Sequence, residues 1–551
     1  MWDIVSTVAL AAVAGGAMGG PLETPFPSSF QLRDLEPSFG GDGTLGTMLA
    51  GSTSDPARIV SAGDIDDDGF PDIAVDYAGP GNRGRVHVLY GPFGGAAQIS
   101  VDAIDVADGF TISGPSNGAY ASAVAAIGDI NGDGVGEFSL SGFGIAEAYV
   151  LFGRGAGSAG FPSSFDLDSI DGTNGIVLRR PGTATFRLSL GESGDVNGDG
   201  IVDLVGGVRD NDSAPLRGYV VFGDPSLGSS SSGVIDPSTV GAGAGVSIVA
   251  PEGFSGLVRS ADSDFDGDGI NDIITEFTSA DARLHSVIFG RDAAAGETFP
   301  AELDVTELSG SDGFTFVFGP QFTRLTGADS GGDVNGDGVE DLVVWLRGSS
   351  ANSTWMYVVY GREDRAFASE IEPSDLNGSN GFAARNAGEY PKVIGDVNAD
   401  GFADIGMGRF IGNKGNSEIG VLYGQPFFDD EFTIAFNGEM GFRLTGLFES
   451  DQVVGLGDLN GDGFDDFGVS DASEFFSPLL GYIVFGRGEI AGPCSAADLG
   501  EPFGALDIAD VVEFLRAFGA GEPGADLAAP MGAYDIADVV EFLRLFGEGC
   551  P

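Results

Sequence analysis

Apolar residues in this chain fall in short runs of four to six, separated by turns rich in Gly and Asp. One order of runs recurs. A first run leads into an acidic stretch, as in Val124–Ile127 or Val453–Leu456, and a second leaves it, as in Asp72–Val75 or Asp341–Trp345. A third has the most constant spelling: VHVLYG (86–91), AYVLFG (148–153), GYVVFG (218–223), SVIFG (286–290), YVVYG (357–361), GVLYG (420–424) and YIVFG (482–486). A fourth, weaker run lies at an Asp-Gly-Phe or Asn-Gly-Phe element, at Asp108–Phe110, Asp312–Phe314 and Asn380–Phe382. Val, Ile, Phe and Tyr dominate, the 3.6-residue period of an amphipathic helix is missing, and the runs read as strands.

The acidic stretches begin at Asp64, Asp129, Asp195, Asp264, Asp333, Asp396 and Asp458, 62 to 69 residues apart. A motif returning at so steady a period means one supersecondary unit repeated. Four short antiparallel strands per unit, repeated radially, predict an all-β fold, a seven-bladed β-propeller with four-stranded blades over residues 22–488. Stacked β-helices have much shorter repeats. The last unit has no fourth run after YIVFG. Phe26-Pro-Ser-Ser-Phe30 matches Phe161-Pro-Ser-Ser-Phe165 and resembles Phe299-Pro-Ala-Glu-Leu303, so residues 22–50 are expected to complete the seventh blade and close the ring.

Each acidic stretch is a nonapeptide with Asp at position 1, Asp or Asn at 3, Asp at 5, Gly at 6 and Asp or Glu at 9. Side-chain oxygens at positions 1, 3, 5 and 9, with a backbone carbonyl at 7, suit the six to eight oxygen ligands of Ca²⁺, and Gly at 6 permits a left-handed turn. The candidate ligands are Asp64, Asp66, Asp68 and Asp72; Asp129, Asn131, Asp133 and Glu137; Asp195, Asn197, Asp199 and Asp203; Asp264, Asp266, Asp268 and Asp272; Asp333, Asn335, Asp337 and Asp341; Asp396, Asn398, Asp400 and Asp404; and Asp458, Asn460, Asp462 and Asp466. The first and fourth loops carry four carboxylates each and are expected to bind most tightly. Up to seven Ca²⁺ ions follow, one per blade; Mg²⁺ fits less well, preferring a tighter octahedral shell with waters. Asp-Gly alone would make a good hairpin, but a hairpin does not need four coordinating oxygens in every copy.

The pattern G-D-x-N-G-D-G-x-x-D, then an apolar strand and Y-V-x-F-G, resembles the FG-GAP repeat of the integrin α-subunit propeller over roughly residues 26–488. The resemblance implies an extracellular, calcium-binding adhesion module. The Gly-Ala-Pro element of that family is degenerate here, as in Asp76-Tyr-Ala-Gly-Pro80 or Ser141-Gly-Phe-Gly144, which weakens transfer of integrin-type ligand recognition.

Residues 494–551 hold a duplication offset by 28: Asp507–Gly519 matches Asp535–Gly547. Ile508, Val511, Val512, Leu515 and Phe518 fall on one expected helical face, with Asp507 as N-cap and Gly519 past the end. Behind a linker at 489–493, the duplication resembles a dockerin, in the variant bounded by Gly-Pro-Cys and Gly-Cys-Pro, a small all-α domain. That resemblance implies docking onto a cohesin-like or cell-surface scaffold. Its loops, Asp498-Leu-Gly-Glu-Pro-Phe and Asp526-Leu-Ala-Ala-Pro-Met, have lost most dockerin ligand positions, so folding by core and disulfide is expected. Cys494 and Cys550, the only cysteines, flank the module as an expected disulfide.

Residues 1–20 read as a signal peptide, with an apolar run at Ile4–Ala14 and small residues around Ala17-Met18-Gly19, although Asp3 stands where a basic residue is usual. A secreted or cell-surface location is therefore expected. A formal charge of −58 argues against nucleic acid or an anionic membrane surface as partner, and no apolar run is long enough to span a bilayer. No catalytic constellation stands out. His87 and His285, the only histidines, lie in or beside third strands, and Gly114-Pro-Ser-Asn-Gly118 lacks the strand–turn–helix setting of a nucleophile elbow.

These readings converge on a secreted calcium-binding propeller, not an enzyme, that binds protein or glycan on a loop face. The rivals are an extracellular carbohydrate-active enzyme, favoured by a deep cleft with converging acids and an Arg on the face opposite the acidic loops, and a purely structural envelope component. Because clustered carboxylates repel when metal is removed, EGTA should lower the melting temperature markedly. An unchanged melt in chelator would refute structural calcium.

Overall fold

The computed structural model describes residues 25–488, except 52–56, 78–83, 116–119, 144–146, 156–159, 180–186, 210–216, 228–232, 241–242, 280, 320–321, 349–353, 386, 411–416, 448–451 and 471–478. In the tail it describes 511, 514–518, 527, 539–540 and 542–544. Among the described residues, the strands form seven sheets, each of five strands. In the first blade Ala57–Gly63, Asp72–Tyr77, Arg85–Leu89 and Gly109–Ser113 pair antiparallel in that order. A fifth strand, Ser164–Asp166, then lies parallel against Gly109–Ser113. It comes from the next repeat, and all blades share this plan. Blades are therefore five-stranded where four were expected. The segment between the third and fourth strands of each repeat reaches back to the preceding blade, pairs there and returns.

First strands surround the axis. Residues of all seven, among them Ile59, Val124, Leu190, Val258, Ala328, Pro391 and Val453, line one central channel of about 440 Å³. Because each acidic nonapeptide follows the end of a channel-lining strand, all seven loops emerge on the same face.

Neighbouring blades meet through apolar clusters, and there are seven such clusters for seven interfaces. Phe110 of the first blade and Phe138 of the second, both fully buried, share one of them. Each such side chain contributes roughly 1.5–3 kcal/mol of burial. An aromatic stack fastens the fifth strands. Phe161 lies on Phe110 (centroids 4.2 Å apart), Phe367 on Phe314 (4.6 Å), Phe428 on Phe382 (4.2 Å) and Phe26 on Phe442 (4.1 Å). The phenylalanine of the Gly-Phe element thus receives the phenylalanine that precedes an incoming strand. Four arginines that directly follow the third-strand glycine cover these rings: Arg154 over Phe161, Arg291 over Phe299, Arg362 over Phe367 and Arg487 over Phe26.

Ring closure corrects the expectation in one respect. The strand that the seventh blade lacks is Gly46–Ala50, antiparallel to Leu479–Val484. Ser29–Gln31, next to the Phe26–Phe30 text, instead pairs parallel with Gly441–Leu447 as the outer strand of the sixth blade. The resemblance to Phe161–Phe165 therefore marks a fifth-strand segment, since Ser164–Asp166 plays the same part. The N-terminal stretch closes two blades at once. Leu49, Ile73 and Ile483 form part of the apolar cluster joining the seventh blade to the first.

In the tail, helical residues 514–518 and 542–544 bring Phe514 onto Phe542 at 4.1 Å. These are the same position in the two copies. Phe514 and Ala517 are buried whereas Leu515 is 58% exposed, so the buried face is rotated from the one expected. A helix packed on a single partner hides a narrower stripe than its apolar residues span. The expected leader (1–20), the expected linker (489–493), Cys494 and Cys550 lie outside the described residues, as do the last residues of Gly114–Gly118. No described helix is long and apolar enough to cross a membrane.

His87 and His285 are buried in third strands, where burial lowers their pKa to about 4 and about 3. His87 shares a hydrogen bond with Thr111 Oγ1 at 3.0 Å. Neither ring lines the channel.

Deleting residues 25–50 would strip the fourth strand from the seventh blade and the fifth from the sixth. The truncated protein is expected to self-associate in gel filtration and to lose its cooperative melt. A monodisperse, cooperatively melting product would contradict this account of closure.

Candidate metal centres

Every acidic loop is built by the same set of hydrogen bonds. The position-1 carboxylate accepts backbone N–H groups from positions 5 and 6, as when Asp64 accepts from Asp68 (3.1 Å) and Gly69 (2.9 Å). Asp458 does the same with Asp462 and Gly463 at 3.1 and 2.9 Å. The position-5 carboxylate accepts the N–H of position 7, for example Phe70 to Asp68 at 2.9 Å and Val339 to Asp337 at 3.1 Å. Position 2 is apolar and fully buried throughout: Ile65, Ile130, Val196, Phe265, Val334, Val397 and Leu459.

The position-9 carboxylate is the innermost group. Asp72, Glu137, Asp203, Asp272, Asp341, Asp404 and Asp466 are each buried to within 1%. Asp72 accepts the N–H of Ile65 at 2.9 Å and that of Gly91 at 2.8 Å. Asp404 accepts from Val397 and Gly424, and Asp466 from Leu459 and Gly486. That second donor is the glycine ending the third strand, and a side chain there would collide with the position-8 carbonyl, 2.3 Å from a Cβ at Gly361 and 2.4 Å at Gly486. The Gly of the Phe-Gly spelling is therefore part of the site. Glu137, one methylene longer, takes Ile130 N–H at 2.7 Å and the Asn131 amide at 2.8 Å. Burial raises the pKa of Asp72 and Asp203 to about 8 and that of Glu137 to about 9, and lifts Asp272, Asp341, Asp404 and Asp466 well above the carboxylate range. A neighbouring cation acts the other way, stabilising the charged form.

Position 3 divides the loops: Asn131, Asn398 and Asn460 Oδ1 accept the position-5 N–H at 2.9–3.1 Å, but three others find no donor. Asp66 Oδ1, Asn197 Oδ1 and Asp266 Oδ1 are buried and accept no hydrogen bond. Burial, then the charges of Asp68 and Asp64, raises Asp66 to about 6. Carboxylate oxygens of Asp64, Asp66 and Asp72 lie within 4.8 Å of one another, as do those of Asp129, Asp133 and Glu137 and those of Asp264, Asp266 and Asp272. Hard, oxygen-only donor sets with buried acceptors short of donors can hold a metal ion. Positions 1 and 9 are further committed to shaping the backbone, a duty not apparent from their spacing.

Position 4 is left-handed in all seven loops. Glycine occupies five of them, from Gly132 (φ 70°) to Gly461 (φ 75°), while Asp67 (φ 60°) and Ala399 (φ 53°) bear the strain in the other two. Only position 6 was expected to need this conformation; the glycines at position 4 were the overlooked signal.

Adjacent loops are tied into a belt. The position-2 carbonyl of each accepts an N–H from just beyond the third strand of the next blade: Arg154 to Ile65, Asp224 to Ile130, Arg291 to Val196, Arg362 to Phe265, Gln425 to Val334, Arg487 to Val397 and Phe93 to Leu459, at 2.7–3.1 Å. Position-8 side chains add to it. Asn271, Glu340 and Asp465 accept the position-1 N–H of the preceding loop at 3.0, 3.0 and 2.8 Å.

Near the loop end of the channel, Glu192, Asp262, Asp329 and Lys392 line a second cavity of about 270 Å³, with Lys392 paired to Asp329. Burial raises both Asp262 and Asp329. Sequence reading passed over all four, which stand on different blades.

Residues 57–89, spanning the first three strands and acidic loop of the first blade, match the FG-GAP repeat model. No curated protein matches the sequence. Among solved structures, the chain is similar to a triple-arginine mutant of AofleA from Arthrobotrys oligospora (8% identity, 77% of this chain and 100% of that one, TM-score 0.31). It is also similar to the rhamnogalacturonan lyase YesW (12% identity, 78% of this chain and 66% of that one, TM-score 0.25). A third is a rhamnogalacturonan lyase from Bacillus licheniformis (11% identity, 81% of this chain and 91% of that one, TM-score 0.23).

Replacing Ala399 by Gly should relieve the left-handed strain and stabilise the protein by about 1 kcal/mol. Thermal or urea melts in saturating calcium would show this, and a destabilised A399G would refute the account of position 4.

Proposed function

We propose that this protein is a secreted, calcium-loaded propeller that binds a protein or glycan ligand and is tethered through its dockerin-like tail. The observation that carries the calcium reading is the buried position-3 oxygens without donors, Asp66 Oδ1, Asn197 Oδ1 and Asp266 Oδ1, inside loops already wound by their own backbone. Bound calcium would supply positive charge to Asp, Asn and Glu oxygens and stiffen the belt, with no chemistry of its own. The match of residues 57–89 to the FG-GAP repeat supports the same reading.

Recognition is assigned to the face opposite the acidic loops. On the acidic face the nonapeptide keeps one spelling in all seven repeats, within first-to-second-strand connections of eight residues (Gly63 to Asp72) to thirteen (Leu190 to Leu204). On the opposite face the connections between second and third strands run from three residues, between Phe143 and Glu147, to eight, between Ser470 and Leu479. The constant ligand spelling on one face suits a structural belt, and the unlike spellings of the connections on the other suit ligand-specific contacts. In the tail, exposed Leu515 and Leu543 occupy the same position in both copies, with Val540 exposed beside them. A repeated apolar pair of this kind supports docking to a scaffold.

A carbohydrate-active enzyme is the second reading, drawn from Glu192, Asp262 and Asp329 in the channel. Against it, these acids sit toward the acidic-loop end, and Lys392 neutralises one of them.

The test is a glycan-array and surface-protein binding screen on residues 22–488, with Ca²⁺ and with EGTA, assaying the same glycans for new reducing ends. A calcium-dependent binder left uncleaved is expected. Release of reducing ends would favour the enzyme, and absence of any binder the purely structural role.

A further inference from the structure

Two of the seven loops, those at Asp64 and Asp264, have Asp at position 3 and so face four carboxylates against one another. The structure treats them differently. Asp66 has around it only acids and backbone donors among the groups that shift it. Asp266 has a guanidinium: Arg365 Nε lies 2.7 Å from Asp266 Oδ2, and Arg365 Nη2 bonds Asp268 Oδ2. One arginine therefore stands between positions 3 and 5, in ion-pair contact with Asp266 and hydrogen-bonded to Asp268.

Arg365 belongs to the next repeat, four residues after the third-strand glycine Gly361. It is positioned deliberately by its surroundings. The preceding turn brings its N–H to Arg362 O at 3.3 Å, its φ is 48°, and its guanidinium carbon stands 5.8 Å from the Phe289 ring centre. A bulky residue held in the left-handed region signals a constraint that the surrounding structure enforces. At the corresponding place the other repeats have Gly95, Gly157, Leu227, Ala294, Phe428 and Ile490, none of them cationic. Beside the first loop Arg154 lies over the Phe161 ring and donates to Gly160 O at 3.1 Å.

We infer that Arg365 is the built-in cation of the fourth loop, standing between Asp266 and Asp268 where a divalent ion would otherwise bind. This rests on the calcium reading of the loops and reverses its ranking. The fourth loop, richest in carboxylates along with the first, is the one that takes calcium last, because the ion must displace a tethered guanidinium present at high effective concentration. The first loop, with the same carboxylates and no arginine paired to them among the described residues, stays the tight site. The fourth blade is correspondingly the one whose loop stays ordered when calcium is scarce.

The test compares the full chain with R365Q and with the double variant D266N/R365Q. Calcium bound per chain, measured by equilibrium dialysis at limiting free Ca²⁺, is expected to rise by one ion in R365Q. In EGTA, R365Q should melt below the parent protein, because four carboxylates then face one another unpaired, and D266N/R365Q should recover part of the loss. Equal calcium counts together with equal melts in EGTA would overturn the inference. If neither protein binds calcium at all, the calcium reading fails while the EGTA melts still decide whether Arg365 neutralises the loop: a lower melt for R365Q, rescued in the double variant, upholds it.

Discussion

The carboxylate at the ninth position of each acidic loop holds its blade in register. It is buried, and it accepts one N–H from the second loop residue and, in six blades, another from the glycine that ends the third strand. Those bonds join the end of the first strand, the start of the second and the end of the third at one point. A buried N–H left without an acceptor costs about 1–3 kcal/mol, so in those six blades loss of this group leaves two such donors. The same requirement explains the constant Phe-Gly spelling, since any Cβ at that glycine meets the backbone of the eighth loop position. The candidate metal ligands and the strand register are thus carried by the same residues.

Repetition turns this local joint into a ring. Each loop lends its position-2 carbonyl to the next blade, each third-to-fourth connection lends a strand to the previous one, and apolar clusters fill every interface. A propeller assembled this way has no terminal blade except where the chain ends meet. There the N-terminal stretch supplies Ser29–Gln31 to the sixth blade and Gly46–Ala50 to the seventh, so that both open edges are paired.

Charge is distributed with equal economy. Acids recur in the loops, where backbone donors and, in the fourth loop, Arg365 offset their repulsion. Some arginines lie over phenylalanine rings and Arg365 stands among the loop acids, while others pair with blade acids, as Arg217 does with Glu302. The second cavity adds a single lysine, Lys392, among four acids, Glu192, Asp262, Asp329 and Asp465, leaving that region negative.

How much of this was legible in advance depends on whether a feature is local. The spacing of the nonapeptides and the four apolar runs per repeat determined the fold class, the number of blades and the candidate oxygens, because strand alternation and turn chemistry are written in consecutive residues. The left-handed fourth loop position was also written there, in five glycines, and was missed because only the sixth was expected to need them. Other features depended on residues far apart in the chain. The fifth strand of each blade is donated by a neighbouring repeat, so the text around Phe26 pointed to the wrong blade. Sequence showed two equivalent four-carboxylate loops at Asp64 and Asp264; only packing brings Arg365, 99 positions after Asp266, to one of them. Local sequence sets which groups can carry charge or bend the chain, while burial and the approach of distant segments decide which of those groups are left without a partner.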